Sequence, residues 1–296
     1  MRCLLIVAGI CLAAAQARAS VVWRGDFESD NLSQWDGIEG LTSRLTVVSS
    51  PLRQGRYALR TELRNGDIAS NGNRNELVRL VPIGEGLEEY YAWSTMFDPS
   101  YPSESSWQVF TQWHHSGCCG SPPIEFDIHG ETLALDSNVR NPMVTLWSTP
   151  LVRGVWHDFV FHVVWSSNPD LGLVELWYDG QKVIEAKAWQ TLYPGQTNYL
   201  KQGLYRDSAI VPTAVLYHDG MTIGTTLADV APQLLPPPPA DGGTPDPVVP
   251  PAGGSSPPGL ESGAGFQGGG GCSSAGGASG LLIAAFALLK PRRRRS

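Results

Sequence analysis

Trp156-His157-Asp158-Phe159-Val160-Phe161-His162-Val163-Val164-Trp165 and, a few residues on, Leu173-Val174-Glu175-Leu176-Trp177-Tyr178-Asp179-Gly180-Gln181-Lys182-Val183-Ile184 decide the fold class. In an extended chain successive side chains point to opposite faces. Trp156, Asp158, Val160, His162 and Val164 therefore share one face of the first run, and His157, Phe159, Phe161, Val163 and Trp165 share the other. The second run centres on Asp179-Gly180, the dipeptide preferred by a two-residue hairpin turn, so 173–184 is predicted to be a hairpin. Working outward, strand-like runs recur at 21–23, 56–62, 76–81, 90–97, 107–114, 124–129, 143–147, 182–186 and 214–218, separated by turn formers such as Asn65-Gly66, Asp98-Pro99 and Asn168-Pro169-Asp170. No long amphipathic helix interrupts them. The prediction is an all-β chain: antiparallel sheets packed as a β-sandwich jelly roll of the concanavalin-like kind, with a concave groove for substrate. A tryptophan in such a groove can stack on a sugar ring, although core packing is the ordinary role of any single one.

The ends of the chain read differently. Arg2, the apolar run from Leu4 to Ala15 and Ala17-Arg18-Ala19 form the pattern of a secretory signal peptide over 1–19, so the mature chain is expected to begin near Ser20. The globular domain is predicted over 20–226, and a Pro/Gly/Ser-rich linker over 227–270, extended where Pro236 to Pro239 favour polyproline geometry. In 271–296, Gly271-Cys272-Ser273-Ser274 precedes a short apolar stretch, Leu281 to Leu289, and the basic cluster Arg292 to Arg295. This tail resembles the C-terminal sorting signals of myxobacterial surface proteins. The resemblance implies processing near Cys272, contact with the membrane or envelope through the tail, and a protein secreted and held at the cell surface or outer membrane.

Over the whole chain 21 basic residues face 28 acidic ones. Arg2, Arg18, Lys290 and Arg292 to Arg295 lie in the two ends, which carry no acid, leaving 14 against 28 and a charge of −14 on the remainder. That balance excludes nucleic acid as an expected partner. A polyanion can still be bound through a local basic cleft. Of the five cysteines only Cys118 and Cys119 fall in the predicted domain, as a vicinal disulfide or as two thiols. No spacing marks a metal site, and a monomer is expected.

Three separated stretches gather the chemistry: Arg74-Asn75-Glu76-Leu77, Gln112-Trp113-His114, and Tyr199-Leu200-Lys201-Gln202-Gly203-Leu204-Tyr205. As strands, each places its functional groups on one face: Arg74 with Glu76, Gln112 with His114, and Tyr199 with Lys201 and Tyr205. Such a set suits β-elimination on an acidic sugar. The uronate carboxylate is neutralised by Arg, Gln or protonated His, a Tyr or His takes the proton on carbon 5, and a Tyr protonates the oxygen leaving carbon 4. A tyrosine base needs positive charge beside it, because a free phenol loses its proton only near pH 10. Lys201 lies four residues from Tyr205, about 13 Å along an ideal strand, so contact would require a bend at Gly203.

These three stretches resemble the signature strands of jelly-roll polysaccharide lyases: the Arg-x-Glu-Leu, Gln-x-His and Tyr-x-Lys-x-Gly-x-Tyr strands of alginate lyases. Gly154 to Asp158 and Leu176 to Gly180 are similar to heparin lyase and glucuronan lyase relatives. The resemblance implies a polysaccharide lyase acting on an acidic polysaccharide. It gives Arg74 and Gln112 as carboxylate neutralisers, His114 as neutraliser or base, and Tyr205 as base and acid. Lys201, Tyr199, Glu76 and Arg206 are expected at the substrate, with Lys201 either a substrate-binding or a tyrosine-tuning cation. Arg206-Asp207 departs from the Asn-Gln of typical alginate lyases, which weakens alginate as the polymer. No cofactor is required. Calcium suits this architecture, with Asp26, Glu28 and Asp219 as candidate ligands, but their spacing does not assign it.

Two other readings compete. Glu125, Asp127, His129 and Glu131 are expected on one strand face, and paired carboxylates serve glycoside hydrolases on similar sandwiches. The same fold also serves lectin-like binding modules without catalysis.

Overall fold

The computed structural model describes residues 20–117 and 120–235. The expected signal peptide, most of the expected linker, the expected sorting tail and Cys118-Cys119 lie outside the described residues. Sixteen strands follow in chain order: β1 (Val21–Gly25), β2 (Gly37–Glu39), β3 (Leu45–Val48), β4 (Ala58–Leu63), β5 (Ile68–Ala69), β6 (Gly72–Ile83), β7 (Glu88–Phe97), β8 (Trp107–His115), β9 (Ile124–His129), β10 (Thr132–Ser137), β11 (Val144–Pro150), β12 (Trp156–Val164), β13 (Leu173–Tyr178), β14 (Gln181–Ala188), β15 (Asn198–Arg206) and β16 (Ala214–Gly224). They form two eight-stranded sheets. The first runs β14-β13-β12-β7-β16-β4-β3, with β1 on β16; the second runs β11-β10-β9-β8-β15-β6-β2, with β5 on β6. Every pairing is antiparallel, so the jelly-roll sandwich expected from the alternation is the fold.

Period-two alternation builds the core. Phe159, Phe161, Val163 and Trp165 bury one face of the β12 run against Trp113 and Phe126 of the second sheet. Most tryptophans are therefore core residues, whereas Trp107 is half-buried in the pocket of the second sheet. On the other face of β12, Val160 packs with Trp177 and Ala231. This contact corrects the linker boundary, because residues 227–235 fold onto the first sheet through a helix α1 (Leu227–Val230) and a short 3-10 turn. Asp229 Oδ2 accepts the N–H groups of Thr225 (2.9 Å) and Thr226 (2.7 Å), fixing the start of that helix.

Two hairpins close through two-residue turns of positive φ. Asp179 (φ 48°) and Gly180 (φ 78°) make the predicted two-residue hairpin turn between Tyr178 and Gln181. Ser70 (φ 46°) and Asn71 (φ 61°) make a second one between β5 and β6, a hairpin the sequence reading did not contain. β10 was also missed, and with it the turn at Gly130 (φ 61°) that pairs His129 with Thr132. Glu131 therefore leaves the strand face. It stands in the turn and receives two bonds from the Arg153 guanidinium (2.7 and 3.0 Å), which corrects its grouping with Glu125, Asp127 and His129.

β15 carries an extra residue between Gln202 and Tyr205 relative to β8. Gly203 (φ 152°) sits in this bulge; a Cβ there would lie 2.3 Å from the Asn75 carbonyl oxygen and 2.8 Å from Glu76 Cα. Gly203→Ala is expected to cost about 3 kcal/mol, read as a lower urea midpoint with unchanged slope.

Candidate active site

β15 lies between β6 and β8, so three stretches distant in sequence become adjacent strands. Their register sets the side chains against one another: Tyr205 opposite Arg74, Gly203 opposite Glu76, Lys201 opposite Gln112, and Tyr199 opposite His114. Leu200 and Leu204 point into the core between them, leaving Tyr199, Lys201 and Tyr205 on the outer face of the sheet. β2 adds Glu39 opposite Glu76.

Arg74 is the hub. Its guanidinium carbon lies 3.7 Å from the centre of the Tyr205 ring, and its Nη1 is 3.2 Å from Glu39 and 3.3 Å from Glu76. Trp107 meets the same ring edge-on, at 4.7 Å between centroids. Gly72 makes this packing possible: a Cβ there would stand 2.6 Å from the tyrosine ring and 2.9 Å from the guanidinium. Lys201 turns away from Tyr205. Its Nζ donates to Glu39 at 2.9 Å and lies 5.3 Å from the centre of the Tyr199 ring. The cation over Tyr205 is thus Arg74, which corrects the assignment of that role to Lys201.

Beneath these groups, Gln112 donates from Nε2 to Glu76 Oε1 at 2.5 Å. Both side chains are buried, so Glu76 positions Arg74 and Gln112 instead of presenting itself to a ligand. Burial pushes the Glu76 carboxyl up, against the opposing pull of Lys201, Arg74 and the Gln112 amide. For Glu39 burial acts in the same upward sense, but Lys201 and Arg74 outweigh it and the carboxyl stays below its usual range. Arg206 does not join the set. It points behind the sheet, donating to Asn73 Oδ1 (2.9 Å) and the Pro212 carbonyl (2.7 Å), and is fully buried; this corrects its placement at the substrate.

His114 is half-buried beside Tyr199, with ring centroids 5.7 Å apart. Its Nδ1 is 2.8 Å from the His115 carbonyl oxygen, which can only accept, so Nδ1 carries the proton and Nε2 the lone pair. Burial, then the charges of Lys201, His115 and Arg74, lower it to about 4, so the ring is neutral above that pH. His218 lies behind the bulge, buried, with Nε2 3.4 Å from the Gly203 carbonyl oxygen.

Along the same face lies a pocket of about 490 Å³, lined by Tyr205, Trp107, Val109, Glu125, Asp127 and His129 among others. Burial first, then Asp127, raises Glu125 to about 8. Asp26, Glu28 and Asp219 accept hydrogen bonds from loop groups: Asp26 from the Gln34 amide, Glu28 from Arg56 and Tyr57 N–H, and Asp219 from Arg53 and Gln54 N–H. Asp219 Oδ1 is buried without a partner among the described residues, and burial, with Glu28 and Asp26 adding to it, raises its carboxyl to about 6.

A family model described as polysaccharide lyase matches residues 27–222, the span that holds every element of this site. The chain belongs to the polysaccharide lyase family. Among solved structures, the lyase is similar to an endo-beta-1,4-glucuronan lyase from the fungus Trichoderma reesei, with 21% identity, TM-score 0.59, and coverage of 71% of this chain and 98% of that one. It is also similar to the catalytic domain of a glycoside hydrolase family 131 protein from Coprinopsis cinerea (17%, TM-score 0.51, 69% and 93%) and to alginate lyase vAL-1 from Chlorella virus (9%, TM-score 0.49, 69% and 99%). At these identities the likeness is one of fold. No curated protein sequence matches.

Sequence reasoning missed Glu39, Trp107 and Asp136. Glu39 stands in a three-residue strand between Gly37 and Gly40 with no periodicity to mark it. Only the pairing of β2 with β6 brings it to Arg74 and Lys201.

Proposed function

We propose that the lyase cleaves a uronic-acid polymer by β-elimination on the outer face of the second sheet. The observation that carries this reading is the Tyr205 ring held under the Arg74 guanidinium at 3.7 Å, on the face that also bears a neutral His114. Arg74 supplies positive charge for the uronate carboxylate, with Lys201, buried and paired to Glu39, acting only through its field, and Arg74 also favours negative charge developing on the phenol. The carbon 5 proton goes to a base, its electron pair forms the carbon 4–carbon 5 double bond, and the carbon 4 oxygen leaves with a proton from Tyr205. When both groups lie on one side of the ring, as in glucuronate or mannuronate, Tyr205 serves as base and acid. For guluronate or iduronate, with the groups on opposite sides, a base separate from the acid is needed; His114 Nε2 offers the lone pair, and the phenol beside it is Tyr199, six residues along β15 from Tyr205. A neutral His114 cannot neutralise a carboxylate, so of its two expected roles the lone pair favours the base.

Asp26, Glu28 and Asp219 offer the oxygen donors calcium takes, and the orphaned Asp219 Oδ1 fits that use; the ion would brace their loops and take no part in the reaction. Secretion and tethering at the cell surface, as the two ends of the sequence suggest, would bring the site to extracellular polymer.

The test is a panel of glucuronan, alginate and heparin-type polymers followed by ultraviolet absorbance. Glucuronan leads the panel because a glucuronan lyase shares the fold. An unsaturated product is expected; reducing ends without absorbance would mean hydrolysis, and neither would mean binding alone. On polymers split through His114, the acid limb of kcat/KM should fall near pH 4 and not near 6.5, because the depressed group is neutral, and able to accept, at every pH above about 4. A limb near 6.5 would exclude the buried imidazole.

A further inference from the structure

Beside Tyr205, the pocket on the second sheet holds a second group of chemistry-bearing side chains that elimination does not use. β9 projects Asp127 and His129 from its outer face, and β10 projects Asp136, paired in register with Glu125. Asp127 and Asp136 are buried, at 1% and 0% exposure, while His129 is 35% exposed at the pocket wall. One ligand atom from each of the three lies within 4.8 Å of the others.

The hydrogen bonding of this triad does not close. His129 Nε2 is 2.7 Å from Asp127 Oδ2 and 3.5 Å from Asp136 Oδ2, yet it is aligned as a donor to neither. Among the described residues no hydrogen-bond donor meets either oxygen of Asp136 or Oδ1 of Asp127, all three of which are buried. Protonating the histidine does not repair this, because Nε2 has one proton to offer two carboxylates. A fully buried carboxylate with neither oxygen satisfied is among the costliest polar arrangements a fold can hold. A divalent cation removes the deficit, since it needs no donor alignment and draws on several lone pairs together. The 3.5 Å spacing is that of two ligands bound at about 2.1 Å in a tetrahedral ion, and the 2.7 Å spacing would open by about 0.7 Å to admit one.

We propose that Asp127, His129 and Asp136 form a binding site for a divalent transition-metal ion of the zinc class on the pocket wall next to Tyr205. An imidazole nitrogen with two carboxylate oxygens is a donor set for zinc and its neighbours; calcium and magnesium favour oxygen alone. Three protein ligands leave at least one position open, and here it faces the pocket. A carboxylate or hydroxyl oxygen of the bound polymer can fill it. That last step rests on the elimination reading, whereas binding of the ion does not.

The test is calorimetric titration of the metal-stripped full chain with Zn²⁺, with Ca²⁺ as the comparison ion, on wild type and on Asp136→Asn, His129→Gln, Asp219→Asn and Tyr205→Phe. One Zn²⁺ per chain is expected. It should weaken about 100-fold in Asp136→Asn and His129→Gln and be unchanged in Asp219→Asn and Tyr205→Phe. Bound Zn²⁺ should raise the Tm of wild type but not that of Asp136→Asn, in which a neutral amide replaces the buried carboxylate and which should fold about as stably without metal. No stoichiometric binding, binding that survives both ligand variants as it would on the cysteines, or binding lost in Asp219→Asn would each overturn the site. Tyr205→Phe separates the two proposals: it should lose elimination and keep the metal, so failure of either reading is visible without the other.

Discussion

Tyr205→Phe should abolish unsaturated-product formation, by about 10³-fold or more, while leaving the fold intact. The phenolic oxygen is the group proposed to protonate the leaving carbon 4 oxygen, and loss of a positioned proton donor costs about 10² to 10⁴-fold; a residue serving as both base and acid belongs at the upper end. Stability should barely change. The ring contacts with Arg74 (3.7 Å) and Trp107 (4.7 Å) survive in phenylalanine, and no described residue hydrogen-bonds the hydroxyl. Because the lost interaction belongs to the transition state, kcat and kcat/KM should fall together with KM little altered. Retained activity with an unchanged product would remove Tyr205 from the mechanism.

Arg74→Ala should damage both stability and activity, and the two losses can be separated. Arg74 sits between Glu39 and Glu76, and the Glu76 side chain is 2% exposed. Removing one partner of a buried ion pair strands the other, a cost of about 3 to 5 kcal/mol; Lys201 nearby places the expectation at about 3. Adding Glu76→Gln should recover much of this stability, since a neutral amide needs no cation, and a double-mutant cycle in urea would show the coupling. Activity should stay about 10² to 10³-fold down in both variants, because the charge facing the carboxylate and the tyrosine is gone. If Arg74→Ala were as stable and as active as wild type, the hub would be an ordinary surface charge.

The proposed elimination site was legible wherever strand parity alone decides direction. Arg74, Gln112, His114, Tyr199 and Tyr205 emerge on one face because alternate residues of a strand must, and Leu200 and Leu204 show the opposite face in the core. Errors arose where a single residue changed the chain's path. Gly130 turned β9 into β10, taking Glu131 off the face and bringing Asp136 onto it, where the expected continuous strand had no place for either change. The end of β15 misled in another way: Arg206 follows Tyr205 and therefore points behind the sheet, which alternation already required once Tyr205 was placed outside.

By itself the sequence determined the class of fold, the hairpin at Asp179-Gly180 and which residues of each long strand face together, because these follow from the two-residue period and from turn chemistry carried in neighbouring positions. Tertiary structure alone decided which strands lie side by side. Glu39 reaches Arg74 and Lys201 across β2 and β6, and Arg74 in place of Lys201 covers Tyr205 across the β6–β15 register. Asp136 joins Asp127 and His129 across the β9–β10 hairpin. Such contacts depend on register between strands that no local pattern encodes, and they carry the electrostatics on which the proposed chemistry rests.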